Sequence, residues 1–114
     1  ILLVGAKRAE IIREIPTNRP FRMAEVQVNS DIHTPGDPQQ RKLLRAALLD
    51  AFAAVIPASA NAQQYLHELM ASQMGLGPIT DIIAYTLGLE VSAKLRLLAE
   101  IDVDQRAKTL IGLL

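Results

Sequence analysis

Two histidines, four serines and the aspartates at 102 and 104 are the residues of this chain best suited to catalysis or metal binding. His33 stands in a polar stretch and His67 in helix-like sequence. Neither has a second histidine three or four residues away. His67-Glu68 therefore lacks the second ligand of a helical zinc-protease motif, and solvent-facing or rim histidines are the simpler account. None of Ser30, Ser59, Ser72 and Ser92 lies in a G-x-S-x-G turn between a strand and a helix. Ser92 and Lys94 are two apart, which on a helix places them on different faces, so they do not make a Ser–Lys dyad. Asp102 and Asp104 read as helix-start residues rather than paired carboxylates. Gly75-Leu76-Gly77 has neither the further spacing nor the preceding strand of a phosphate-binding loop. The chain has no cysteine, which excludes disulfides, thiolate nucleophiles and Cys-based metal sites. The sequence predicts no catalytic residue, no cofactor and no metal.

Two features favour binding instead. Residues 70–76 (MASQMGL) are apolar and pliable, and methionines adapt to varied partners. Met70, Met74 and Leu76 are accordingly the candidate polypeptide-binding residues, the competing account being that the methionines plug core gaps. The second feature is the arginine set Arg8, Arg13, Arg19 and Arg22, which could receive an acidic partner but is diluted by acidic neighbours.

The elements that position these residues follow from composition and period. The 114 residues are 50% hydrophobic, with only two Phe, two Tyr and no Trp, so the core is aliphatic, which suits helix packing. Twelve basic and twelve acidic residues cancel, leaving no net charge to draw the chain to nucleic acid or to an anionic membrane. No apolar run approaches the ~20 residues of a membrane span. The absence of cysteine agrees with a cytoplasmic setting.

Residues 1–4 are a short β-type run, residues 9–15 alternate imperfectly, and residues 21–28 alternate well. Three strands make a poor sheet with exposed edges, and the chain opens Ile-Leu-Leu-Val without a methionine, so further strands are expected upstream. A polar linker at 29–37 leads to Asp37-Pro38, a cap followed by proline at the first helical position. Leu44, Leu48, Ala51, Phe52 and Val55 then form one stripe. Further helices are expected from a cap at Asn61 to about Met74, with Tyr65, Leu66, Leu69 and Met70 inward, and from Gly77-Pro78 to a left-handed Gly88. A helix capped by Ser92 should bury Leu95 and Leu98. The last helix is capped by Asp102, with Gln105 as the other half of a capping box. The expected fold class is α+β, a short antiparallel β segment followed by a bundle of about five helices.

The order of motifs resembles the N-terminal, substrate-binding domain of Lon proteases. Val4-Gly5-Ala6-Lys7-Arg8-Ala9 is similar to that family's V-G-x-x-R-A, and residues 20–26 (PFRMAEV) to its P-F-x-M-A-E-V. Residues 81–84 (DIIA) and 94–104 (KLRLLAEIDVD) match its helical half, which ends here in Asp102, Val103, Arg106 and Leu110. The resemblance implies a pseudobarrel-like β lobe, its first strands lying before Ile1, then a helical bundle. Residues 1–28, 29–37 and 38–114 would be the strands, linker and bundle of one such domain. It also implies binding of unfolded or damaged polypeptides without catalysis, in protein quality control, as the recognition part of an ATP-dependent protease or as a stand-alone protein. A homo-oligomer is compatible with it. The alternative is a structural or self-association module, or an adaptor docking a specific folded partner.

Overall fold

The computed structural model describes residues 3–33 and 36–114. It divides into two compact units, Ile1–Asp31 and Ile32–Leu114.

The first unit is an antiparallel hairpin of β1 (Arg8–Ile15) and β2 (Met23–Asn29). Leu3 and Val4 take no regular structure, and Ile1 and Leu2 lie outside the described residues. The meander of three strands expected from the sequence is thus a pair among the described residues. A bulge at Ile12 explains the broken alternation of β1. Ala9 pairs with Val28 and Ile11 with Val26, but beyond Ile12 the register steps on, so that Arg13 meets Glu25 and Glu14 meets Ala24. One extra residue reverses which parity points to which face. It puts Glu14 on one face with Ala9, Ile11, Ala24, Val26 and Val28, and sets Arg13 opposite Glu25 and Ile15 opposite Met23 on the other.

The second unit holds five helices: α1 (Pro38–Val55), α2 (Ala60–Ala71), α3 (Leu76–Thr86), α4 (Val91–Ala99) and α5 (Val103–Leu113). Asp37 caps α1 by accepting the Gln39 N–H at 2.9 Å, with Pro38 in the first turn. Asp102 caps α5 through the Asp104 and Gln105 N–H groups. The Asp102 N–H in turn donates to Glu100 Oε2, so a glutamate from the preceding residues closes this cap. Four boundaries differ from the sequence reading. Ser59, not Asn61, caps α2, its Oγ accepting from Ala62 N–H. That helix stops at Ala71 because the Ser72 hydroxyl and N–H both donate to Leu69 O. Ser92 lies inside α4, whose cap position is Glu90 without a side-chain bond. Gly88 is not left-handed, since no described glycine has positive φ; α3 ends through extended Leu87.

The core is made by Leu48, Leu49 and Phe52 of α1, Ile79 and Ile83 of α3, and Val103, Ala107 and Leu110 of α5, joined by Leu66 and Leu69 from α2. Leu44 and Ala51 are half-buried, whereas Val55 at the helix end is exposed. In α4 the buried leucine is Leu97, and Leu95 and Leu98 are exposed. Leu97 lies on a different side of α4 from Leu95 and Leu98. Ile32 joins the bundle through two backbone bonds, donating to Ile101 O and accepting from Val103 N–H.

Arg106 is the largest side chain with no exposure. Its Nε donates to Glu100 O at 2.9 Å and its Nη1 reaches Asp81 Oδ1 at 3.3 Å. One guanidinium thus ties α5 to α3 and to the C-terminal end of α4. It also brings together the two segments, 81–84 and 94–106, that carry the family resemblance in the helical half. Replacing Arg106 by Ala leaves a cavity and takes the side-chain donor from the part-buried Glu100 carbonyl, and should cost roughly 2–4 kcal/mol in urea unfolding. Asp81→Asn should cost about 1 kcal/mol or less, since the Asp81 carboxylate is partly in water.

Candidate functional site

The candidate residues Met70, Met74 and Leu76 span the α2–α3 connection, and an arginine from another helix holds that connection in place. Arg45 of α1 extends its guanidinium over the end of α2. Its Nη2 donates to Leu69 O and Ser72 O, at 3.3 and 3.1 Å, and its Nε to Met74 O at 3.3 Å. The last carbonyls of a helix carry the negative end of its dipole and have no partner within the helix, so a cation with five fixed donors suits this position. Sequence reasoning missed Arg45. The signal was its spacing: Arg45, Leu49 and Phe52 are i, i+4 and i+7, which places a cation on the buried stripe.

The clamp sets the three candidate residues apart. Met70, on the last turn of α2, is half exposed at 51%. Met74 is half-buried against the core. Leu76 opens α3 and is 4% exposed, so it anchors the connection and is withdrawn from the surface. Tyr65, read as inward, is exposed as well, which leaves Leu66 and Leu69 to bury the helix.

A concave feature lies where α1 and α5 begin. Arg41 holds Asp104 through Nε at 3.1 Å and Nη2 at 3.4 Å, with both side chains largely buried. This pair and Leu43, Leu44, Ala47 and Lys108 border an open groove of about 390 Å³. Asp104 therefore belongs to a helix-to-helix tie, as well as to the favourable N-terminal turn of α5.

In the hairpin the arginines have partners. Arg13 Nε donates to Glu25 at 2.6 Å, Arg22 grips Glu14 through two bonds of 2.7 and 2.9 Å, and Arg8 lies 3.7 Å from Asp31. Arg19 stacks 5.8 Å from the centre of the Phe21 ring. Arg22 beside Glu14 holds that carboxyl below the ordinary glutamate value, and Glu14 holds Arg22 above its own.

His33 and His67 are both exposed. Among the described residues no three His, Cys, Asp or Glu side chains are grouped so as to hold a metal ion, and no helix is long and apolar enough to cross a membrane. The site geometry is thus that of surface side chains on clamped helices. In comparison with protein families, the chain matches the ATP-dependent protease La (LON) substrate-binding domain over residues 1–114. Among curated proteins no match was found.

Two measurements check the geometry. Replacing Arg45 by Met should cost roughly 1–2 kcal/mol and speed amide exchange from Leu69 to Leu76 more than in α5. In an NMR titration Glu14 should protonate below the ordinary glutamate range, and Arg22→Gln should bring its midpoint back up. The sign follows from the depressed folded value: what this exposed pair adds to stability is present above the unfolded glutamate pKa and lost as pH falls through the folded one.

Proposed function

The chain belongs to the ATP-dependent protease La (LON) substrate-binding domain family, a non-catalytic one, and from that membership we propose that it recognises unfolded or damaged polypeptides. The match along the whole chain is the observation that carries this reading. In it, the chain serves protein quality control in the cytoplasm as the recognition part of an ATP-dependent protease, and several copies side by side multiply a weak contact. The chemistry of recognition is burial of apolar side chains that a folded protein would hide, worth about 25 cal/mol per Å² removed from water.

Within this reading the contact centres on Met70. It is exposed on a helix end that Arg45 immobilises, so little conformational entropy is lost there on binding. Met74 forms the half-buried edge of the patch, and Leu76 fixes the patch to the core. An unbranched thioether packs against many side-chain shapes, as a substrate without fixed sequence requires.

The test is association of the chain with a permanently unfolded, reduced and carboxymethylated protein, followed by fluorescence anisotropy. The wild-type chain should bind weakly. Met70→Glu should weaken binding roughly five- to tenfold while leaving the thermal midpoint within about 2 °C, since the side chain is at the surface. Leu76→Ala should instead lower stability by roughly 2–5 kcal/mol. A folded wild-type chain that binds no unfolded protein would overturn the reading.

A further inference from the structure

The chain has three methionines and no cysteine, so thioethers are its only sulfur groups. A thioether takes one oxygen atom from hydrogen peroxide. The O–O bond breaks, an S=O bond forms, the sulfur is oxidised by two electrons, and water leaves. A flexible apolar side chain becomes a polar one, and methionine sulfoxide reductases reverse the change. How fast each sulfur reacts depends on its access to solvent. What the added oxygen does depends on what the side chain holds together.

The three positions differ in both respects. Met23 is 42% exposed in β2, away from the candidate patch. Met74 is half-buried and packed against the core, so oxygen added there meets apolar neighbours and costs stability. Met70 is 51% exposed on the last turn of α2. The backbone on either side of it is held by Arg45 through Leu69 O and Ser72 O, and Leu66 and Leu69 bury the helix. Those supports are carbonyls and leucines, so oxidation of the Met70 sulfur leaves the helix end in place. Met70 therefore combines ready access for an oxidant with an effect confined to the surface. We propose that Met70 is an oxidation switch for the polypeptide contact: the thioether form binds, the sulfoxide form releases, and reduction restores binding. An apolar segment that packs on the thioether would have to strip water from the sulfoxide oxygen, which loses its hydrogen bonds in the contact. This inference rests on the polypeptide-binding reading above and adds how that contact is regulated.

The test partly oxidises the 114-residue chain with hydrogen peroxide and passes it over an immobilised reduced and carboxymethylated protein. Peptide mapping by mass spectrometry then reads the sulfoxide at each methionine in the bound and unbound fractions. Before the column, Met70 should be oxidised severalfold faster than Met74. After it, Met70 sulfoxide should be enriched about fivefold or more in the unbound fraction, while Met23 sulfoxide divides evenly. The unbound fraction should keep the thermal midpoint of the untreated chain within about 2 °C by circular dichroism. Dithiothreitol and the two reductases, one for each sulfoxide epimer, should return that fraction to the bound state. Even division of Met70 sulfoxide would overturn the switch and leave the polypeptide reading intact. The switch is equally overturned if Met70 reacts no faster than Met74, if the unbound chain has lost its fold, or if reduction restores no binding. An untreated chain that binds no unfolded protein overturns the reading itself, and the switch with it.

Discussion

Four of the five helices have 12 residues or fewer, at or below the length at which an isolated helix is marginal in water, and every helix end leaves backbone groups without partners. Three arginines meet that constraint. Arg45 carries α1 onto the last carbonyls of α2, Arg106 carries α5 onto the end of α4 and the Asp81 carboxylate of α3, and Arg41 joins α1 to Asp104 at the start of α5. Each lays an apolar stem along the core and presents a planar fork of donors at its end. The aliphatic core supplies the larger non-directional force, but the arginines fix which helix end lies against which helix. Without them, the leucine faces of α1, α3 and α5 could pack in more than one rotation.

This division of labour bears on function. Positions that meet the core or hold a helix end are committed, and the apolar residues left at the surface are spread over all five helices. Met70 sits on the clamped end of α2, and Val91, Leu95 and Leu98 sit on α4. The last third of the chain, which carries much of the family resemblance, is mostly scaffold: Asp81 and Arg106 meet as an ion pair, and Val103, Ala107 and Leu110 fill the core.

Much of the fold was legible because it is written in local chemistry. Asp37-Pro38 and Asp102 announce their helices through cap side chains, and the Leu48–Phe52 spacing gives the buried stripe of α1. Misreadings arose where two residues compete for one role. Ser59 and Asn61 can both cap, and the backbone that follows Pro57 decides for Ser59. Leu95, Leu97 and Leu98 all look like core, and only the packing of the bundle selects Leu97. The bulge at Ile12 shows in the sequence as failed alternation, but the register is needed to see that it turns Glu14 to the face of Val26 and Val28 and Ile15 away from it. The candidate site was half legible. Composition pointed to Met70, Met74 and Leu76, but burial separated them, because Arg45 draws the connection down until Leu76 enters the core. Arg45 and Arg106 were readable in principle, as cations in phase with buried stripes, but charged residues are read by default as surface.

The central claim is that recognition is done by side chains outside a clamped core that does not itself rearrange. Hydrogen exchange of the chain, with and without a bound unfolded protein, tests it most directly. The account predicts new protection at the C-terminal turn of α2, around Met70, while the slowest amides of α1, α3 and α5 keep their rates. Protection gained only in the hairpin, or faster exchange throughout the three core helices on binding, would contradict it.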